Sequence, residues 1–255
     1  MTRPLKSTLA ISTTLACLFA LNGPAQAGTD GSPGTKPARA SVVASQGVRP
    51  NDSARSESSL GHWQGRSVAD WTERLWHWLT SVPASVNPVF DSSGVNCGLN
   101  QEGPVWFLAG AAVPTFTRYC TIPHGKAILM PLVAFLYDYP CPPEVGPFEP
   151  AAGQSLEDFL TDSAAAAIDG LTLTYASLDG KTLKPRRVTT KVFGFTAAKD
   201  LGPGLDVCMT GSPQVAVSDG YWLTIDPLPR GDHVVQINLN GPGGPASGTF
   251  NLKIR

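Results

Sequence analysis

Three histidines (His77, His124, His233) and three carboxylates (Asp91, Asp138, Asp226) are the side chains best suited to chemistry in this chain. Imidazole and carboxylate together can hold a metal or move a proton. Their spacing argues against both uses: the sequence has no HExxH and no other close-set ligand pattern, so no metal site is expected. His77 falls on a helical stretch, His124 in a Pro-His-Gly turn, and His233 just after a corner. No Gly-x-Ser-x-Gly elbow presents a serine nucleophile, and Asp91-Ser92-Ser93-Gly94 reads as a turn. Asp138, Glu144 and Glu149 lie in or beside a proline-rich loop around Cys141. Two carboxylates about 5 to 9.5 Å apart suffice for glycoside hydrolysis, so these three are catalytic candidates by location. The glycine-rich stretch from Gly241 lacks dinucleotide-loop spacing, and no cofactor is expected.

Six tryptophans are many for this length. Trp71 and Trp78 share a helical stripe with Leu75 and should be core. Trp76 lies about 100° from Leu75 around that helix, off the stripe, with His77 beside it. Trp222 is out of phase with Tyr221, Leu223 and Ile225 on a period-two segment. Trp76, His77 and Trp222 are therefore the candidate binding residues, since an exposed aromatic plane stacks on sugar rings or on apolar partners.

The elements that must position these groups are legible in part. Ser67-Val68-Ala69-Asp70 is a capping-box variant that opens a helix to Thr80, stopped by Pro83. Ser155-Leu156-Glu157-Asp158 opens a second helix, with Leu156, Phe159, Leu160, Ala167 and Ile168 on its apolar face and Gly170 at its end. Val86 to Gly94 reads as an extended segment ending in a turn. Strands are expected at Val105–Leu108, Thr115–Cys120 and Ala127–Leu136, the last buried on both faces with an irregularity at Pro131. Asp179-Gly180 marks a hairpin, and Val188–Phe195 is a further strand. The stretch Asp219–Leu239 holds two strands around the corner Pro227-Leu228-Pro229-Arg230-Gly231-Asp232, and Phe250, Leu252 and Ile254 form the last strand. Seven to nine strands and two helices without βαβ alternation point to a mainly β fold. The expectation is an antiparallel immunoglobulin-like β-sandwich with two accessory α-helices, as a single domain over residues 66–255.

Residues 1–27 read as an export signal: Arg3 and Lys6, an apolar run from Ser7 to Leu21, then Ala25-Gln26-Ala27 as the cleavage pattern. A lipid attachment at Cys17 is disfavoured because the apolar run continues past it, so no membrane anchor is expected. Residues 28–65 are rich in Gly, Ser, Pro, Ala and Arg and read as a disordered leader. The signal takes two basic residues with it, which moves the formal charge from −1 to −3 and argues against nucleic acid as a partner. Four cysteines then remain, an even set in an exported chain. Three pairings are open, and Cys97–Cys120 with Cys141–Cys208 is favoured.

The Trp-rich helix followed by SVPASVNPVFDSSGVNCG, GPVWFLAG, RYCTIPHGKAILMPL and SDGYWLTIDPLPRGDH resembles a group of secreted bacterial proteins of unknown function labelled "signal proteins". The resemblance covers about residues 66–240. It implies export and a compact disulfide-bearing domain, and it transfers no catalytic residue. Two functions follow as expectations. The first is a secreted or periplasmic non-catalytic binding or structural protein with a glycan or protein ligand. The second is an extracellular hydrolase acting on a glycan polymer through the loop carboxylates.

Overall fold

The computed structural model describes residues 62–241 and 244–255; the expected signal segment and most of the expected leader lie outside them. Among the described residues, ten strands form two mixed sheets, accompanied by three helices. In chain order these are α1 (Val68–Ser81), β1 (Val105–Phe107), β2 (Thr115–Ile122), β3 (Ala127–Tyr139), α2 (Leu156–Asp169), β4 (Thr172–Leu178) and β5 (Lys181–Thr182). They continue with β6 (Arg186–Thr189), β7 (Phe193–Thr196), the one-turn α3 (Gly202–Leu205), β8 (Pro213–Ile225), β9 (Gly231–Gly241) and β10 (Gly244–Ile254). None of these helices is long and apolar enough to cross a membrane.

The first sheet runs β1-β3-β8-β6, with β7 also paired to β8; the second runs β2-β10-β9-β4-β5. The expectation of purely antiparallel sheets fails at two ladders, since β1 pairs with β3 and β2 with β10 in parallel. The cause is the path of the chain. β2 leaves for the other sheet between β1 and β3, and two reversals restore the original direction. The proline corner Pro227–Gly231 makes the same kind of crossing: β8 before it belongs to the first sheet and β9 after it to the second. Phe116, Ile122, Val235, Ile237 and Phe250 of the second sheet meet Ile128, Met130, Leu132, Leu223 and Ile225 of the first in one apolar core.

Both long helices pack on the first sheet: α1 touches β3, β6 and β7, and α2 touches β3 and β8. That is why β3 is buried along most of its length on both faces, as its continuous apolar sequence implies. It is also why β8 is buried on both faces instead of one. The expected irregularity is a register shift between Pro131 and Val133 opposite Tyr221 and Trp222. Beside it the two backbones close up; a Cβ at Gly220 would stand 2.5 Å from Ala134 Cβ.

Ser67 caps α1 by accepting from the Asp70 amide, and Ser155 caps α2 by accepting from Asp158. Asp179 and Gly180, both at positive φ, form the hairpin turn between β4 and β5. Val188–Phe195 is two strands, not one, because the apolar alternation lapses at Lys191; Thr190 bridges the interruption through its hydrogen bonds with the Ser218 backbone. Ala84–Val86 is a turn of 3-10 helix where an extended segment was expected. The disulfides are Cys97–Cys120 and Cys141–Cys208.

Candidate functional site

The carboxylate candidates separate sharply. Asp138, near the end of β3, has no exposed surface, and Glu144 and Glu149 are exposed. Glu149 accepts from the Tyr139 hydroxyl at 2.7 Å. The partner that the sequence did not suggest is Asp206, itself buried, which follows α3 and precedes Cys208. Asp138, Asp206 and the Cys208 sulfur lie within 4.8 Å of one another. The sulfur is spent in the disulfide, so this is not a metal centre of the usual donor set.

Asp138 and Asp206 hydrogen-bond to each other, which two carboxyl groups can do only by sharing a proton. Burial, and then the Asp206 charge, push Asp138 up to about 8. Gln214 organises the rest. Its amide nitrogen donates to Asp138 Oδ2 (2.8 Å), Pro140 O (2.9 Å) and Cys208 O (2.9 Å), and its oxygen accepts from the Thr210 amide. The Cys208 amide donates to Asp206 Oδ1 at 2.9 Å. This is a sealed joint between β3, β8 and the Cys208 loop, out of reach of a polymer.

The aromatic candidates need correction. Trp76 is 2% exposed and Trp222 1%, so neither offers a plane to a ligand. Trp76 is drawn inward because α1 buries Thr72, Trp76 and Thr80 as well as its apolar stripe. Trp222 packs under the same helix, since the outer side of β8 is covered. His77 is exposed, as expected. It sits 3.5 Å from Glu73 and its ring lies 5.6 Å from that of Phe193. The three histidines take different partners: His233 Nδ1 lies 2.7 Å from Asp179 Oδ2, and the His124 amide donates to Arg255 O.

His77 instead opens onto a groove of about 1280 Å³ along α1. Asp70, Glu73, Arg74, His77 and Ser81, the polar stripe of the helix, form one wall; Asn100 and Glu102–Pro104 face it. Trp71, Trp78 and Phe107, each less than a tenth exposed, make the floor. The guanidinium groups of Arg66 and Arg74 stand 5.9 and 5.7 Å from the Trp71 ring. Acidic and basic side chains both stand on the rim.

The surroundings hold this groove open. Trp78 Nε1 donates to Leu99 O at 2.8 Å, and Gln101 bonds to both backbone groups of Phe107. Cys97–Cys120 staples the same loop to β2. At the other end Trp63, assigned from sequence to the leader, donates to Asp226 Oδ1 and accepts from Trp71 Nε1 through its carbonyl. A recurring polar stripe at 70, 73/74, 77 and 81 was the sequence signal for this wall.

No protein-family profile and no curated protein matches the chain. One solved structure, titled "Structure of PbICP-C in complex with falcipain-2", aligns with 60% of this chain and all of its own at 10% identity. Its TM-score of 0.23 is too low for the alignment to bear on fold or function.

Proposed function

We propose that this chain is an exported, non-catalytic binding protein that takes a polypeptide segment in the groove along α1. The groove itself is the observation behind the reading: an aromatic floor under a rim carrying Arg66, Asp70, Glu73, Arg74 and Glu102. A peptide brings apolar side chains and both signs of charge together, which is what this lining complements. Two disulfides support export to an oxidising compartment, and the resemblance to secreted proteins agrees. Two sheets meeting across a shared core support a β-sandwich of immunoglobulin-like kind as the scaffold. The hydrolase alternative draws nothing from Asp138, which is buried and paired.

The reading is tested by selecting from a random-peptide library on the full chain, processed and oxidised by its host. Enriched peptides should bind at least tenfold more weakly to the double variant Glu73→Lys/Arg74→Glu, whose substitutions fall on exposed or half-exposed helix positions. Failure to enrich any sequence, or equal binding to the variant, refutes it. Intact mass of the same material should correspond to cleavage after Ala27.

A further inference from the structure

We infer that the outer face of the second sheet is a docking surface for a neutral polysaccharide. This surface is separate from the groove, which lies against the first sheet. Helices α1 and α2 both cover the first sheet, and no helix of the described residues packs broadly on the second. Its outer face is therefore open along β2, β10 and β9 and at Tyr175, while Ser177 of β4, opposite Gln236, is fully buried.

The composition of that face is unusual for a solvated one. Along β2, Thr115, Thr117, Tyr119 and Thr121 point outward while Phe116, Arg118, Cys120 and Ile122 point in. Beside them on β10 stand, in register, Ser247, Thr249, Asn251 and Lys253. The next strand, β9, continues these rows with Asn238, Gln236 and the half-buried Val234, and Tyr175 of β4 lies opposite Asn238. Charged side chains make up 15% of the whole chain, and a solubilising surface normally concentrates them. Here the rows, Val234 apart, present hydroxyls and amides, and the charges they contain, Lys253 and Asp232, stand opposite each other on neighbouring strands.

Electroneutrality selects the partner. An acidic or basic polymer finds no net charge to answer, and a protein partner finds a single half-buried aliphatic side chain, Val234, in place of the broad apolar centre that anchors an interface. Sugar hydroxyls donate and accept at once, as do threonine, serine, asparagine and glutamine side chains. Tyr119, 67% exposed, and Tyr175, 36% exposed, add ring faces on which sugars stack. They are three strands apart and offset along the sheet, roughly 20 Å at strand and residue spacings, room for a short run of sugar units between them.

Affinity electrophoresis of the full oxidised chain tests this, in gels containing hydroxyethylcellulose, arabinoxylan, amylose or dextran, with polygalacturonate and heparin as charged comparators. At least one neutral polymer should retard the protein and the acidic ones should not. Tyr119→Ala and Thr249→Lys should each weaken the retardation at least tenfold while the circular dichroism spectrum and melting curve stay those of the wild type; Tyr175→Ala replaces Thr249→Lys if the latter melts early. The groove variant Glu73→Lys/Arg74→Glu should be retarded like the wild type, which keeps this inference distinct from the peptide-binding reading. No retardation by any neutral polymer, retardation that survives both substitutions, or a dimer in sedimentation that Thr249→Lys dissolves would overturn it.

Discussion

Trp76 Nε1 donates to Ser218 Oγ at 2.7 Å, fastening α1 to the middle of β8. Ser218 is in turn held by the Thr190 hydroxyl through its amide, so the bond ties helix, β8 and the β6–β7 break into one joint. Trp76→Ala should therefore cost about 3 to 5 kcal/mol, as much as Trp71→Ala or Trp78→Ala. Trp76→Phe, which keeps most of the ring and leaves Ser218 Oγ without this donor, should cost about 1 to 3 kcal/mol. Urea melts of the four variants measure both, and a Trp76→Ala loss under 1 kcal/mol would contradict the assignment.

Stability should fall as pH rises through the window set by Asp138. In the unfolded chain its carboxyl titrates near ordinary values, about 3.9. In the fold it holds its proton up to about 8, so between those limits the folded state binds a proton that the unfolded state has released. The contribution is complete below the lower limit and lost as pH climbs through the upper one. Asp138→Asn can donate to Asp206 at any pH and should flatten this part of the profile. Urea midpoints from pH 4.5 to 9 for both proteins measure the effect.

The two disulfides should differ in worth. Cys141–Cys208 closes a separation of 67 residues and Cys97–Cys120 one of 23. Loop entropy then gives about 4 kcal/mol for the first and about 3 for the second. Replacing each pair by alanines should reproduce that order in urea melts. Loss of Cys97–Cys120 should also weaken groove ligands, because it frees the wall that carries Asn100 and Glu102.

Arg187 bridges Asp219, which is buried, and Asp169 on α2, at 2.7 and 2.6 Å. Its bonds to Asp219, and next those to Asp169, outweigh partial burial and hold the guanidinium charged. Arg187→Met strands a carboxylate inside the protein and should cost about 3 kcal/mol, the low end for a broken buried pair because Arg187 is itself over a third exposed. Arg187→Lys keeps the charge without the fork and should recover only part of this. Thermal melts give both values. Hydrogen exchange should show α2 opening first.

Local signals in the sequence carried furthest where chemistry is local. The caps at Ser67 and Ser155, the Asp179-Gly180 turn and the irregularity at Pro131 depend on neighbours within a few residues, and each lies where its pattern placed it. Trp76 did not, because a helix stripe read from apolar residues alone omits Thr72 and Thr80, which widen the buried face to include it. Trp222 failed for a different reason: strand alternation says which side a residue faces, and only tertiary packing says whether that side is covered. The pairing of Asp138 with Asp206 joins residues 68 positions apart through a loop whose course nothing local dictates. Mixed sheets were equally out of reach, since direction depends on how often the chain changes sheet.

The position of β10 has a consequence for the order of assembly. This strand fills the gap between β2 and β9, although β2 precedes it by more than a hundred residues. A nascent chain halted at residue 240 has made β2 and β9 without the strand that joins them, and the apolar faces of Phe116 and Ile122 have no Phe250 or Leu252 beside them. Closure of the second sheet therefore needs the last strand. Until then the second sheet stays open between β2 and β9, although every strand of the first is already present.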